Sequence, residues 1–323
     1  MPPSTRCWVK MRTPEFWNRG GAAATLLAPL GALHGLSVAW KAQHAKPYRA
    51  QAKVICVGNL TAGGSGKTPV ALAIAGLLRA KGQKVFFLTR GYGGREAGPA
   101  EVKPGDRAEQ MGDEALLLSQ AAPTIVARDR ARGAALAGAR GADVIVMDDG
   151  HQNFAVAKDL SIVVVDGESG FGNGRMIPAG PLRESVRQGL KRADAVIVMG
   201  RGNPDLEGYQ GPLLNARLVP EGDFLQGKRV FAFAGIGRPE KFVATLKAAG
   251  ALVMATQFFA DHHPFQPGEI AALRARAGGA QLVTTEKDFV RLKERDRAGM
   301  AVLKVQARFD DPEVLDALLD RIA

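Results

Sequence analysis

The sequence predicts an α/β protein with a doubly wound sheet. From residue 54 onwards, apolar runs of four to six residues, typical of buried parallel strands, alternate with segments of helical periodicity. Glycine occurs 39 times among the 323 residues, which suits a fold with many tight turns between strands and helices. A stretch rich in Gly, Pro and Asn at 200–223 precedes a second block of the same alternation, so we expect a second, smaller α/β domain.

The composition is that of a folded protein from a reducing compartment. Hydrophobic residues make up 46% of the chain and charged residues 23%. Only two cysteines occur, Cys7 and Cys56, which excludes a disulfide-stabilised scaffold. The net charge of +11 favours acidic partners such as anionic lipid, nucleic acid or phosphorylated substrates, although a solubilising surface explains it equally well.

An apolar segment near the N-terminus is the first predicted element. Residues 20–40 contain no Asp, Glu, Lys or Arg and are bracketed by Arg19 and Lys41. A transmembrane helix needs about 20 apolar residues, but the glycines and the proline of this segment make its hydrophobicity modest. Three leucines recur at helical spacing and give the segment one apolar stripe.

The tryptophans indicate where this segment lies. All three fall in the first 40 residues among basic side chains: Trp8, Trp17 and Trp40, beside Arg6, Lys10, Arg12, Arg19 and Lys41. Amphipathic rings and cations together are typical of a membrane interface. We therefore predict a membrane-associated helix within residues 1–45, lying on or shallowly in a surface that carries anionic lipid. A true span and an ordinary helix packed on the core are the alternatives.

The strands and helices of the two blocks follow in order. The first block is predicted to contain strands at 54–59, 85–89, 125–127, 144–147, 162–165 and 195–199, with helices at 67–80, 112–121 and 130–139. The second is predicted to contain strands at 230–234, 252–255 and 281–284, with helices at 240–249, 267–277 and, amphipathic and final, 312–322. We accordingly expect a first domain at 46–223, a smaller one at 224–323 and a hinge near 220–228.

A glycine-rich loop follows the first strand. Its residues are Thr61, Ala62, Gly63, Gly64, Ser65, Gly66, Lys67 and Thr68. They match the phosphate-loop pattern G-x-x-x-x-G-K-[ST], except that Thr61 stands at the first glycine. A strand, such a loop and a helix in this order turn amide N–H groups towards phosphate oxygens at the helix N-terminus. Lys67 then contacts the β- and γ-phosphates of ATP, and Thr68 binds Mg²⁺.

This context weakens the alternative of a glycine-rich turn that binds no phosphate, and it makes the predicted sheet one of the P-loop NTPase type. A second motif supports it, because Asp148 and Asp149 follow the apolar run 144–147 directly. Strand ends of this kind collect the ligands of a doubly wound sheet. Two adjacent acids can also cap a turn. Combined with the phosphate loop, they are better interpreted as ligands of Mg²⁺.

Short motifs in a fixed order run through most of the chain, at 57–69, 89–93, 112–114, 127–130, 148–152, 180–184, 261–263 and 284–288. With this set the chain resembles the tetraacyldisaccharide 4'-kinases, the lipid A 4'-kinases of Gram-negative bacteria, whose phosphate loop also lacks the usual first glycine. One departure is visible. The family often reads D-D-G/A-F-Q-H, whereas this chain has His151 and Asn153 on either side of Gln152.

The resemblance implies transfer of the ATP γ-phosphoryl group to the 4'-hydroxyl of a tetraacylated glucosamine disaccharide 1-phosphate, a late step of lipid A biosynthesis. It implies ATP and Mg²⁺ as cofactors, an active site between two α/β domains, and attachment to the cytoplasmic face of the inner membrane. A monomer without a nucleic-acid partner is expected. A substrate that stays in the bilayer also gives the basic N-terminal segment a purpose, because the enzyme must reach the membrane surface.

Roles for individual residues also follow from the resemblance. An Asp113–His262 pair from different domains accepts the proton of the sugar hydroxyl, and Lys67 acts with it in catalysis. The other expected contacts are with nucleotide at Arg183 and Glu286, with metal at Glu184, and with substrate at Arg90, Tyr92, Arg128, Arg130 and Gln152. Considered alone, Asp113 is an acid favoured at a helix start and His262 a loop histidine, so this pair depends on the resemblance.

Three other functions are compatible with parts of the pattern. A GTPase or ATPase switch shares the phosphate loop, but the guanine motif N-K-x-D does not occur. A soluble small-molecule kinase leaves the N-terminal segment unexplained, and a non-enzymatic binder of anionic lipid leaves the phosphate loop unexplained. The lipid kinase accounts for both features.

Overall fold

The computed structural model of the protein describes residues 14–322. Part of the predicted membrane interface lies outside the described residues, namely Arg6, Trp8, Lys10 and Arg12, as does Cys7. The other two tryptophans, Trp17 and Trp40, lie within them.

Strands and helices alternate along the described chain. Its strands are β1 (Lys53–Gly58), β2 (Val85–Thr89), β3 (Ala100–Glu101), β4 (Thr124–Val126), β5 (Val144–Asp148), β6 (Leu160–Asp166), β7 (Ala195–Met199), β8 (Leu213–Pro220), β9 (Arg229–Ala234), β10 (Leu252–Phe258), β11 (Gln281–Thr285), β12 (Ala301–Leu303) and β13 (Val305–Phe309). Its helices are α1 (Phe16–Arg19), α2 (Ala22–His44), α3 (Lys67–Ala80), α4 (Ala108–Met111), α5 (Asp113–Ser119), α6 (Arg130–Ala139), α7 (Val186–Leu190), α8 (Pro239–Ala248), α9 (Pro267–Ala277), α10 (Glu286–Arg291), α11 (Glu294–Arg297) and α12 (Pro312–Asp320).

The larger sheet has nine strands in the order β13-β8-β7-β6-β1-β5-β2-β4-β3. Its neighbours are parallel except at the two edges, where β13 pairs with β8 and β3 with β4. From β1 the chain continues through β2 on one side and through β6 and β7 on the other. This reversal opens a crevice at the carboxyl ends of the strands, where such sheets bind ligands. The predicted doubly wound fold is confirmed.

Helices cover both faces of this sheet. Alternate residues of β1 point to opposite faces: Ile55 and Val57 pack with α3 and α12, and Val54 packs with α6. Because both faces are buried, the central strands consist of continuous apolar runs rather than alternating ones.

The end of the chain differs from the predicted division at residue 224. β13 joins the larger sheet by pairing with β8, and α12 buries Leu315, Leu318 and Leu319 in the core of that sheet. An ion pair of 2.5 Å between Lys81, after α3, and Asp320 reinforces the packing. The apolar stripe of α12 is visible in the sequence, but it does not reveal which of two cores the helix covers.

The smaller sheet has four parallel strands in the order β10-β9-β11-β12. Helices α8 and α9 pack on its two faces. The chain crosses between the sheets twice, from β8 to β9 and from β12 to β13. At these crossings the amide of Glu221 donates to the carbonyl of Lys304 at 3.0 Å. The predicted hinge falls on the first crossing, and its motion stays a prediction.

Helix α2 stands out by its exposed leucines. Leu26 is 82% exposed, and Leu30, Leu33, Leu36 and Trp40 are more than half exposed. Its buried positions are Ala24, Gly31 and Gly35. By length and composition the helix could cross a membrane. A helix that buries its small residues and exposes its leucines is not an ordinary core helix.

Candidate active site

The phosphate loop lies between β1 and α3 and is shaped by its own residues. The side-chain amide of Asn59 donates to the carbonyl of Thr61 at 2.8 Å. Gly63 and Gly66 have φ of 120° and 87°, a backbone region that other residues avoid. Helix α3 begins directly after Gly66, so the amides of its first turn face the loop.

Thr61 at the usual glycine position has a structural explanation. The φ angle of Thr61 is not positive. Thr61 also forms an antiparallel β-bridge with Leu182. The amide of Ala62 donates to the carbonyl of Pro181 at 2.8 Å, and that of Arg183 donates to the carbonyl of Leu60 at 2.7 Å. The loop is thus held to the segment at 181–183 in a conformation that requires no glycine at its first position.

Two cations converge on Asp149. The ammonium of Lys67 lies 3.7 Å from its carboxylate, and the guanidinium of Arg183 lies 2.7 Å from it. Burial raises the pKa of Asp149, but Lys67 and Arg183 outweigh it and hold this pKa well below its usual range. Asp149 itself has a φ of 54°, which is unusual for a residue other than glycine. This strained backbone lies where Lys67 and Arg183 meet, and such strain is concentrated at functional sites.

Thr68 and Asp148 provide the oxygen ligands that a magnesium ion needs. The Thr68 hydroxyl donates to Asp148 Oδ2 at 3.3 Å, while Asp148 Oδ1 is buried without a hydrogen-bond partner. Burial, followed by the carboxylate of Glu114, raises the pKa of Asp148 to about 7. Residues 14–322 contain no group of three His, Cys, Asp or Glu that could hold a metal. Two protein oxygens suit Mg²⁺, which takes most of its ligands from phosphates and water.

Glu184 and Gln152 lie behind the phosphate loop. Glu184 is buried, with one oxygen 2.6 Å from Arg192 and the other accepting from the amide of Gln152 at 2.9 Å. Gln152 also donates to the carbonyl of Asn59 at 2.8 Å. Both side chains therefore support the loop in this structure. The predicted contacts of Glu184 with metal and of Gln152 with substrate stay predictions.

His151 and Asn153, the departures from the family pattern, make local structural contacts. The His151 ring is buried between the Ser161 hydroxyl at 3.1 Å and the Gly189 carbonyl at 2.9 Å. Burial lowers the pKa of His151 to about 3, which leaves it neutral. The side chain of Asn153 accepts from the amide of Ala155 at 3.2 Å. His151 thus replaces an aromatic residue as a packed, hydrogen-bonded ring.

The Asp113–His262 pair joins the two sheets. Asp113 begins α5 beside the larger sheet, and His262 follows β10 of the smaller one. Nδ1 of His262 lies 2.8 Å from Asp113 Oδ2. A carboxylate only accepts, so Nδ1 carries the proton and Nε2 is left to accept one. The ring of Tyr92 lies 5.4 Å from that of His262, centroid to centroid.

Arg291 is a functional candidate that the sequence did not reveal. It donates from Nε at 2.9 Å and from Nη2 to the same oxygen of Asp113, and from Nη1 to Asp288 at 2.8 Å. Burial raises the pKa of Asp113, but His262 and Arg291 outweigh it and hold this pKa well below its usual range. In the sequence, Arg291 lies three residues after Asp288, which ends the last of the family motifs. This position does not indicate a contact with Asp113.

A second ion pair links the sheets beside the first. Lys287, at the start of α10, lies 2.5 Å from Glu114, the neighbour of Asp113. The adjoining Glu286 lies near the crossings between the sheets, where its carboxylate accepts from the amide of Val305 at 3.4 Å. Its predicted contact with the nucleotide stays a prediction.

The predicted substrate residues differ in burial. Arg90, Tyr92 and Arg128 are exposed, Tyr92 by 63%. Arg130 is buried, donates to the carbonyl of Ala127, and has its Nε without a partner. Burial lowers the pKa of Arg130 to about 10, and Asp149 opposes this shift. Arg130 is therefore a buried cation near Asp149, whereas the other three side chains are exposed to solvent.

Comparison with known proteins shows which family this chain belongs to. The family model described as tetraacyldisaccharide-1-P 4'-kinase matches residues 23–323. The chain belongs to this family. A protein of Paramagnetospirillum magneticum named tetraacyldisaccharide 4'-kinase is 54% identical over 97% of this chain and 99% of its own. One of the same name from Rhodospirillum rubrum is 50% identical over 97% and 98%.

A solved member of the tetraacyldisaccharide 4'-kinase family shares the fold. The crystal structure of LpxK from Aquifex aeolicus in complex with ATP superposes with a TM-score of 0.76 at 26% identity, covering 93% of this chain and 99% of that one. The predicted family, fold class and kinase activity are confirmed, and ATP is the nucleotide bound by the Aquifex aeolicus protein. The roles of individual residues are not tested by these comparisons.

Proposed function

We propose that this kinase transfers the γ-phosphoryl group of ATP to the 4'-hydroxyl of a tetraacyl disaccharide 1-phosphate. The observation that carries the proposal is the Asp113–His262 pair, formed at 2.8 Å across the two sheets. The neighbouring Glu114 forms an ion pair with Lys287 at 2.5 Å, and its carboxylate also raises the pKa of the buried Asp148. The pair therefore adjoins the phosphate site. The names of the relatives support the choice of acceptor.

The phosphate side binds and orients the nucleotide. Amides from Gly63 to Thr68 surround phosphate oxygens, and Lys67 and Arg183 neutralise their charge. Thr68 and Asp148 would hold Mg²⁺, which would supply further charge neutralisation when bound. Because Asp149 already engages both cations at 3.7 and 2.7 Å, phosphates compete with it for them.

The Asp113–His262 pair accepts one proton during the reaction. His262 Nε2 accepts it from the 4'-hydroxyl, and Asp113 stabilises the resulting imidazolium through Nδ1. As the proton leaves, the 4'-oxygen forms a bond to the γ-phosphorus and the bond to the bridging β–γ oxygen breaks. ADP leaves with that oxygen, so atoms and charges balance. Arg291 keeps Asp113 ionised and oriented throughout.

The substrate side is cationic and open to the membrane. Arg90, Arg128 and the buried Arg130 provide charge for the 1-phosphate or the γ-phosphate, and Tyr92 packs near the reacting sugar. Acyl chains gain about 0.8 kcal/mol per buried methylene, so they stay in the bilayer. The exposed leucines of α2 enter the same surface, on the cytoplasmic face of the inner membrane, where anionic lipid attracts Lys41.

We propose that the protein is a monomer with three parts. These are an N-terminal membrane-associated segment at 1–45 that contains α2, the phosphate-binding domain from 46 to 223, and the smaller domain from 224, whose last strand and helix return to the larger sheet. Closure of the two domains about the first crossing, near 220–228, brings Asp113 and His262 together.

Transfer of label tests this function directly. The protein is incubated with γ-labelled ATP, Mg²⁺ and detergent-dispersed tetraacyl disaccharide 1-phosphate, beside Lys67→Ala and Asp113→Ala variants. Label is expected in the lipid with the unmodified protein and at least about 100-fold less with either variant. Unlabelled lipid under conditions where the protein binds ATP would rule the proposal out. Free hydrolysis of ATP without transfer would instead favour a nucleotide switch.

A further inference from the structure

Helix α2 makes a hydrogen bond to the main chain of Arg183 and exposes its leucines on the surface of the protein. We propose that His34 of this helix is a positioning residue, which holds the main chain of Arg183 so that docking of α2 on a membrane orders the phosphate site. The inference rests on the proposed roles of Arg183 at the nucleotide and of α2 at the membrane.

The contact itself is specific. Nε2 of His34 lies 3.1 Å from the carbonyl oxygen of Arg183, 149 positions away. A carbonyl only accepts, so Nε2 donates and Nδ1 is left without the proton. His34 is half-buried on a helix whose leucines point outward. Its ring therefore points towards the protein body rather than the lipid.

Small residues on the same helix face allow this approach. A Cβ atom at Gly31 would lie 2.7 Å from the carbonyl oxygen of Met176, and one at Gly35 would lie 2.3 Å from its sulfur. The guanidinium of Arg175 donates to the carbonyl of Ala24 at 3.0 Å. Helix α2 is thus fitted closely to the segment at 175–183, and His34 contacts the last residue of that segment, Arg183.

Arg183 transmits this fit to the phosphate site, because each of its polar groups has a different partner. Its carbonyl accepts from His34 and its amide donates to Leu60 at 2.7 Å, just before the phosphate loop. Its guanidinium lies 2.7 Å from Asp149, the carboxylate that also faces Lys67. A shift of α2 therefore moves the main chain that carries one of the two phosphate-binding cations.

The consequence is a link between membrane docking and nucleotide binding. Contact with lipid favours one position of α2 relative to the rest of the protein, since its leucines are buried in lipid in that position. In that position the hydrogen bond from His34 holds Arg183 in place. Phosphate binding is then stronger, because Arg183 is already ordered before ATP binds. Loss of one such hydrogen bond corresponds to about a five-fold rise in the KM for ATP.

Three variants test the proposal on the full-length protein. His34→Ala removes the donor, and His34→Gln restores a donor on a side chain of similar reach. Ser37→Ala is the matched control, because its hydroxyl bonds to the carbonyl of His34 within the helix and makes no contact with the 175–183 segment. KM for ATP is measured with and without vesicles containing anionic lipid, with flotation and thermal unfolding as parallel readouts.

The expected result is selective. Vesicles lower the KM for ATP of the unmodified protein, of His34→Gln and of Ser37→Ala, but not of His34→Ala, while vesicle binding and Tm stay the same in all four. If His34→Ala does not fold, His34→Leu takes its place against His34→Gln. A KM for ATP in His34→Ala that matches the unmodified protein with vesicles would overturn the inference. Full activity of Lys67→Ala would instead overturn the proposed function beneath it.

Discussion

The proposed phosphate site and the proposed base site, which consists of Asp113, His262 and Arg291, are built in different ways. The phosphate site comes from neighbouring parts of one sheet: β1, the loop after it, the start of α3, and β5 beside them. The base site joins Asp113 to His262 and Arg291, which lie 149 and 178 positions away and belong to the other sheet. The first is fixed by local geometry, whereas the second exists only while the two sheets are correctly placed.

This difference has a functional meaning. In the proposed function, nucleotide binds to a site that one sheet completes alone, whereas the Asp113–His262 proton acceptor is assembled only when the smaller domain is in position. In the proposed function, the cross-sheet contacts therefore serve the chemical step rather than nucleotide binding. Substitutions in the two sites should accordingly change different kinetic constants.

Removing the imidazole of the base site has the largest expected effect. His262→Ala should lower kcat by about 10²–10⁴-fold, because the hydroxyl loses its proton acceptor, with ATP binding unchanged. Steady-state transfer of label and equilibrium binding of ATP measure the two quantities. His263→Ala is the control, since His263 bonds to Glu269 at 2.8 Å within the smaller domain. A parallel loss of ATP binding in His262→Ala would show that the two sites are not separate.

Arg291→Met addresses the stability of the cross-sheet pair. Arg291 is 6% exposed and Asp113 3%, so the substitution removes one partner from the buried carboxylate of Asp113 and one from that of Asp288. We expect a loss of about 3 kcal/mol in the free energy of unfolding, measured in urea. Arg217→Met, which breaks a half-exposed pair with Asp310, should cost about 1 kcal/mol or less. Equal losses in both variants would mean that the cross-sheet pair carries no special stability.

Acid should weaken a second set of cross-sheet contacts to a smaller extent. Burial raises the pKa of Asp166 at the end of β6, but Lys241 and Arg238 from the smaller domain outweigh it and lower this pKa to about 2. The stabilisation is thus present above the unfolded carboxyl's pKa near 4 and is lost as pH falls through about 2. The contribution of ionised Asp166 to the free energy of unfolding should be on the order of 2 kcal/mol.

Urea unfolding between pH 2 and pH 6 measures this contribution. The unmodified protein should lose more stability over that range than Asp166→Asn, which has no carboxylate to protonate. An identical pH dependence in the two proteins would show that Asp166 is not ionised through its contact with the smaller domain.

The two sites also differ in how far the sequence could predict them. Strand, loop and Gly66-Lys67-Thr68 are adjacent in the chain, so local pattern and helix-terminus physics were sufficient for the phosphate site. The Asp113–His262 pair was predicted only through the family resemblance, because nothing local in either motif indicates the other. Arg291 was missed altogether, since its contact with Asp113 depends on how two sheets pack.

The same limit applies to the fold. The strands at 54–59, 85–89 and 195–199 were predicted from apolar runs, whose pattern is set by burial on both faces. The return of β13 and α12 to the larger sheet was not predicted, because an apolar stripe of three leucines suits either core. Long-range choices of this kind depend on the whole structure rather than on any segment.

A double-mutant cycle on the base site tests the central claim most directly. Transfer of the γ-phosphoryl group to the lipid is measured for Asp113→Ala, His262→Ala and the double variant. If the two residues act as one unit across the sheets, the double variant should be no slower than the slower single variant. A double variant whose loss equals the product of the single losses would contradict a shared role.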